Sequence, residues 1–524
     1  MSAPEVVQAR GHGLADLLHR SAARHPGKTA LIGSDRSFDF RELHAAVDRT
    51  ASALHRRGLV HGDRLAILSR NNWQYVVVTY AAARLGVVLV PINFMLKAEE
   101  VAYILDHSGA QGVITEHDLQ PLAAKALAEL GRTLSVQATI GELEDAAGWD
   151  NFTTWVDEPG PAPDVLVADD DPVRIMYTSG TESRPKGALL SSRSLISEYV
   201  SCIVDGGMTA DDIDLHTLPL YHCAQMDCFL GPDIYLGATS IVLPGPQPAA
   251  VLKAIETHKV TKFFAPPTVW ISLLRAPEFE TSDLSSLRKG YYGASAMPVE
   301  VLREIRTRLP QVQLWNFYGQ TELSPVATIL GPHEQESHAG SAGRPVLNVE
   351  TVVVDDDDRP VPPGTIGEIV HRSPQATLGY WRDEAKTTEA FRNGWFHSGD
   401  LGVFDDEGRL TVVDRKKDMI KTGGENVASR EVEETIYLHP DVAEVAVFAV
   451  PHPKWVEAVC AVVVPRPGAD LDEATVLAHC ATRLAGFKVP KHLVVADSLP
   501  KNPSGKILKR DLRTTFADLA HKEL

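Results

Sequence analysis

Short β-rich runs alternate with helical stretches along most of this chain, and that alternation constrains its fold more than any other feature. RLAILS (64–69) leads into a helical stretch over 73–85 and then GVVLVPI (86–92). TSIVLPG (239–245) leads into AAVLKAIETHKV (249–260) and TKFFAPP (261–267). Strands separated by helices pair in parallel, so the fold class is α/β. The 524 residues have room for several domains at roughly 100–200 residues each. The most apolar region, 65–92, is broken by Arg70, Asn71, Asn72 and Arg84, so it falls short of the ~20 apolar residues a membrane span needs. MSAPEVVQAR at the start has no apolar core that could serve as a signal peptide.

Composition narrows the function. A net charge of −18 repels phosphate backbones, which argues against nucleic acid as a partner. The five cysteines, Cys202, Cys223, Cys228, Cys460 and Cys480, are odd in number and lack any CxxC spacing. They indicate neither a disulfide framework nor a structural metal, and they suit a reducing cytoplasm. The acidic run 355–358, between VVV (352–354) and GEIVHR (367–372), reads as a hairpin turn. Charge also divides the chain: residues 415–524 hold 16 Lys+Arg against 15 Asp+Glu, whereas the residues before them hold 35 against 54.

The segment most informative about chemistry is MYTSGTESRPKG (176–187). A strand-like lead enters Thr178, Ser179, Gly180 and Thr181, whose hydroxyls and consecutive amides can wrap phosphate oxygens, and Lys186 adds a mobile cation. A Walker A loop needs Gly-Lys-Ser/Thr, and Pro-Lys-Gly stands here instead, so this is not a P-loop NTPase. PLYHCAQ (219–225), YYGASAMP (291–298), NFYGQTE (316–322), GWFHSGD (394–400), DRKKDMIKTGGENV (414–427) and PKNPSGKILKR (500–510) follow in order.

With these motifs in this order, the chain resembles the adenylate-forming superfamily of acyl-CoA synthetases, luciferases and adenylation domains, and most of all bacterial fatty acyl-CoA synthetases. The resemblance implies a large N-terminal domain, 1–414, of two α/β sheet subdomains and a small β-barrel-like one. A hinge at 415–417 and a small, mobile α+β cap, 418–524, complete it. It implies ATP, Mg²⁺ and coenzyme A as substrates and cofactor, and a carboxylic acid activated to acyl-AMP and then passed to CoA. Many members of the superfamily form homodimers.

The resemblance also distributes roles. Lys506 bridges the substrate carboxylate and the α-phosphate. Glu322 and Thr181 hold Mg²⁺, and Thr321 holds the α-phosphate. Thr178, Ser179, Gly180 and Lys186 form the phosphate loop. Asn316, Tyr318, Gly319, Gly293, Ala294 and Ser295 enclose the adenine, with the flat face of Tyr318 against the base. Asp400 and Arg415 take the ribose. His222 gates the carboxylate entry, Lys417 is the hinge, and Gly423, Gly424, Glu425 and Asn426 line the pantetheine tunnel. A metal reading of His222, Cys223 and Cys228 lacks a fourth ligand nearby. The phosphate loop departs from the superfamily pattern at Glu182 and Ser183, where Thr and Gly are usual.

The acyl group is read from an apolar lining that includes Ala224, Phe229, Phe264 and Trp270, with Gln225 and Asp227 as polar exceptions. It suits a neutral, hydrophobic tail, which favours a medium- or long-chain fatty acid. The alternatives are an aryl or hydroxycinnamoyl acid, or transfer of the adenylate to an amine or a carrier-protein thiol.

Overall fold

The computed structural model describes residues 4–141, 148–160, 163–178, 185–293, 297–501, 507–517 and 519. Ser179, Gly180, Thr181, Glu182, Ser183, Ala294, Ser295 and Lys506 lie outside the described residues.

The large N-terminal domain contains two α/β sheets that share one layer of helices. The first sheet runs in the order Asp150–Asn151, Val136–Ile140, Gly112–Glu116, Arg64–Leu68, Val88–Ile92, Pro172–Thr178, Lys186–Ser191. All its pairs are parallel except the last. The second has nine strands. Its parallel centre runs from Gln313–Gly319 through Lys289–Gly293, Lys262–Phe264, Ile213–His216 and Thr239–Val242 to Thr29–Ile32, with antiparallel strands at both edges. The early strand Thr29–Ile32 therefore belongs to the later sheet.

The helix Trp73–Leu85 is buried on every side save at Arg84. A helix apolar all round has to lie inside the molecule, and this one packs between the two sheets in the largest core cluster. Asn72 caps its start by accepting from the Tyr75 amide, and left-handed Gly86 ends it. Among the described residues no helix is long and apolar enough to cross a membrane.

The third subdomain is a four-stranded antiparallel meander, Glu350–Val354, Gly367–Arg372, Phe396–Phe404 and Leu410–Arg415. The barrel-like expectation corresponds to this sheet. The acidic run forms the turn expected of it: Asp355 Oδ1 accepts from the Asp357 and Arg359 amides. The small C-terminal domain is a mixed sheet built on Val442–His452 and Val456–Pro465, with the helices Ser429–Tyr437, Glu473–Ala481 and Lys509–Thr515.

His371, in the meander, gives a pH prediction. It is 1% exposed, its Nδ1 lies 3.0 Å from Thr351 Oγ1, and burial pushes its pKa down to about 3. The folded protein keeps this ring neutral while the unfolded chain takes up a proton near pH 6.5. Stability is therefore full above pH 6.5 and falls by about 1.4 kcal/mol per pH unit as pH drops toward 3. The urea midpoint of His371→Asn should fall less steeply below pH 6.5 than wild type, and equal slopes would contradict the assignment.

Candidate active site

The strand Gln313–Gly319 delivers Tyr318 and then turns into the 3₁₀ segment Thr321–Leu323. The turn depends on Gly319, because a Cβ there would lie 1.9 Å from the Pro325 carbonyl oxygen. Tyr318 Oη donates to Asp400 Oδ2 at 2.7 Å. Asp400 stands opposite Arg415 on adjacent strands of the meander, and Arg415 Nε is 3.5 Å from Asp400 Oδ1. Three expected site residues thus come together from two sheets. Burial, and then the Asp400 charge, push the Tyr318 hydroxyl well above its ordinary pKa, so it remains a donor. Asn316 directs its amide nitrogen to the Ser341 carbonyl at 2.9 Å. Gly293 ends its strand, paired with Phe317.

The segment expected to hold phosphate follows one strand and precedes its antiparallel neighbour, with Thr178 paired to Lys186. A second segment runs along the Lys186–Ser191 strand through three backbone bonds: Leu378 N to Leu189 O, Leu189 N to Gly379 O, and Trp381 N to Gly187 O. It also ties back to the YGQTE turn, where the Thr377 amide donates to the Glu322 carbonyl at 2.7 Å. Tyr380 consequently projects between the two elements. Its Oη donates to Glu322 Oε1 at 2.9 Å, and Lys186 Nζ sits 5.5 Å from its ring centroid. Burial and the Glu322 charge raise its pKa far above the physiological range. The sequence reading did not single out Tyr380; a lone Gly-Tyr-Trp in a loop carries no spacing signal.

His222 caps the short helix Cys223–Gln225. Its Nδ1 accepts from the Ala224 amide at 3.1 Å, which leaves the proton of the neutral ring on Nε2. Cys223 Sγ lies 3.3 Å from Thr321 Oγ1, joining the segment after His222 to the YGQTE turn.

The two unplaced polar residues serve the fold beneath. Gln225 links His216 Nδ1, at 2.8 Å, to the Leu218 amide. Asp227 is wholly buried, ion-paired with Arg174, and 3.2 Å from Tyr199 Oη.

Beyond them lies a buried aromatic cluster. Phe229 stacks on Phe264 at 4.5 Å and on Phe317 at 5.6 Å, with Tyr291 edge-on at 5.1 Å. Trp270, expected in the lining, packs instead against Phe263 in a separate cluster. A helix residue's choice of sheet face is not written in its local sequence.

Past Arg415, Lys417 borders a cleft of about 560 Å³ with Val450, Glu457 and Arg513, and burial lowers its pKa. Asp418 pairs with Arg513 at 2.6 Å. Gly423 and Gly424, with φ of +60° and +91°, make the two-residue turn of a hairpin in which Thr422 pairs with Glu425. A turn with positive φ at both positions calls for glycine. Glu425 and Asn426 are exposed beside it.

The geometry can be set beside known proteins. The family model described as AMP-binding enzyme matches residues 18–381, and that of the AMP-binding enzyme C-terminal domain matches 431–506. A feruloyl-CoA synthase from Amycolatopsis sp is 39% identical over 509 residues, covering 97% of this chain and 100% of the relative. A long-chain-fatty-acid–CoA ligase of Escherichia coli O6:H1 is 32% identical over 547 residues, covering 97% and 95%. The crystal structure of the anthranilate CoA ligase AuaEII with anthranoyl-AMP superposes with a TM-score of 0.89 at 28% identity, covering 97% of this chain and 98% of that one. By the reach of the family models and the length of these matches, this chain is an enzyme of the AMP-binding family, alongside acyl-CoA ligases.

Proposed function

We propose that the enzyme joins an aromatic carboxylic acid to coenzyme A in two steps. The acid's carboxylate attacks the α-phosphorus of ATP, giving acyl-AMP and pyrophosphate; the CoA thiol then attacks the acyl carbon and AMP leaves. The first step brings two anions together, so the protein's part is mainly positioning and positive charge. Lys186 and Lys506 supply the charge, and Thr321 holds the α-phosphate. Asp400, oriented by Tyr318 and Arg415, accepts from the ribose hydroxyls. His222 stands where the acid enters. Residues 415–417 act as the hinge between a body, 1–414, and a cap, 418–524, that brings the loop of Gly423, Gly424, Glu425 and Asn426 to the pantetheine arm.

The buried aromatic cluster, taken as the floor of the acid pocket, carries the choice of acid. Phe229 and Tyr291 are 0% exposed, and Phe264 and Phe317 are at most 7%. Packed rings beneath the gate suit a flat, rigid acid that stops on them better than an alkyl chain needing a channel. The higher identity to a feruloyl-CoA synthase than to a fatty-acid ligase points the same way. A medium- or long-chain fatty acid is the second reading, supported by the uncharged lining. The test is pyrophosphate release with ATP and Mg²⁺ across fatty acids, benzoates and cinnamates, with and without CoA. Release that is highest with ring acids and turns over only with CoA is expected. A maximum with aliphatic acids would restore the fatty-acid reading, and indifference to CoA would point to an amine or a carrier-protein thiol.

Glu322 fits Mg²⁺, offering hard carboxylate oxygen on one side of Tyr380 with Lys186 on the other, and Thr181, outside the described residues, is the second donor that the resemblance implies. When bound, the ion neutralises phosphate charge. Tyr380 fixes the rotation of the Glu322 carboxylate through the bond to Oε1, which can still accept a second partner. Losing a hydrogen bond worth about 1 kcal/mol should make Tyr380→Phe bind Mn²⁺ with ATP about fivefold more weakly by titration calorimetry. A matching rise in half-saturating Mg²⁺ for turnover is expected, and unchanged binding would remove Tyr380 from this role.

A further inference from the structure

Cys228, weighed in the sequence beside His222 and Cys223, converges in the fold on Glu198 and Cys202 instead. The helix Ser192–Asp205 carries Glu198 and Cys202 one turn apart on the same face. The π-helical turn Met226–Leu230 brings Cys228 to them; such turns recur at functional sites. One donor atom from each residue lies within 4.8 Å of the other two. Glu198 and Cys202 are 0% exposed and Cys228 is 4% exposed. Cys202 Sγ donates to Glu198 Oε1 at 2.9 Å. Glu198 Oε2, fully buried, has no hydrogen-bond partner among the described residues. Leaving a buried oxygen unmatched costs about 1–3 kcal/mol, and a cation between the three donors would remove that cost.

The neighbouring buried trio shows the contrast. Asp214, His216 and Asp233 also converge, but Lys262 Nζ already stands among them, 3.2 Å from Asp214 and in contact with Asp233. That trio has its cation built in. Among the described residues, no lysine, arginine or histidine pairs with Glu198.

We propose that Glu198, Cys202 and Cys228 bind one soft divalent cation of the zinc class. Two thiolates and a carboxylate are donors that such an ion selects, and three protein donors are the number of a site with one open position. Binding releases three protons to solvent, two from S–H and one from the carboxylic acid, as two metal–sulfur bonds and one metal–oxygen bond form. With zinc–sulfur bonds of about 2.3 Å, sulfurs in a tetrahedral site stand ~3.8 Å apart, so the donors need only a small inward shift. The ion would clamp the helix Ser192–Asp205 to the turn that carries Asp227 and Phe229, and so fix the aromatic floor.

The test uses the full-length protein, reduced and stripped with a chelator under anaerobic conditions. Titration with Cd²⁺ should produce a sulfur-to-metal charge-transfer band that saturates at one equivalent. One equivalent of Zn²⁺ should slow iodoacetamide labelling of Cys202 and Cys228 by about tenfold or more, measured by peptide mass spectrometry against Cys460 and Cys480 as internal references. The band should vanish in Cys202→Ala with Cys228→Ala and persist in Cys460→Ala with Cys480→Ala. No band in wild type, an unchanged labelling ratio, or a band surviving the first pair of substitutions would each overturn the site. The labelling arm needs no variant, so a folding defect in the alanine variants leaves the proposal testable.

Discussion

Replacing Lys506 by alanine is expected to lower ATP-dependent pyrophosphate release by roughly 10²–10³-fold, the effect typical of losing one preorganised group that stabilises charge in the transition state. The same variant should still make thioester when acyl-AMP and CoA are supplied directly, because the proposed second step attacks an activated carbonyl and has no second anion to bring in. Assaying the half-reactions separately divides the outcomes. Loss of both would mean that Lys506 acts through folding or through the cap as a whole, and retention of the first would remove it from catalysis. Neither result depends on which acid is the natural substrate, provided one acid is turned over.

The largest effect on stability is expected at Arg174. Its guanidinium is 2% exposed and is paired with a wholly buried Asp227. Removing one partner of a buried pair leaves the other charge unmatched, at about 3–5 kcal/mol. Burial already raises the Asp227 pKa; without Arg174 the carboxyl would rise further and take up a proton. Arg174→Met should therefore be weaker at every pH, with a deficit that grows as pH rises and the proton becomes harder to keep. Adding Asp227→Leu should recover most of the loss, since a well-packed apolar pair often matches a buried ion pair. The first urea transition, followed at two pH values, measures this. A single variant within about 1 kcal/mol of wild type would show that the pair is not needed.

The fold class was legible in the sequence for physical reasons. The helix Trp73–Leu85 combined a mostly apolar sequence with an asparagine cap and a glycine stop, and those local signals agree with its burial between sheets. Glu322, Asp400 and Arg415 sat in short motifs whose order carried the resemblance. The ties among side chains were not legible. Tyr380 reaches Glu322 across 58 residues, and Arg174 reaches Asp227 across 53; neither pairing leaves a periodic trace. Asp227 looked like an exception in an apolar stretch because its counter-ion, Arg174, belongs to a strand distant in sequence. Cys202 and Cys228 looked unrelated because what joins them is a helix face and one π-helical turn.

The strand Thr29–Ile32 has a consequence for synthesis. Its parallel neighbour, Thr239–Val242, lies some 200 residues downstream, so at translation rates of 5–20 residues per second it waits roughly 10–40 s for a partner. Until then the ribosome holds a chain whose first hairpin, Thr29–Ile32 with Ser37–Asp39, presents an open edge to any neighbouring nascent chain. The yield of soluble enzyme is thus set in part before the molecule is complete, by whatever shields that edge while the rest is made.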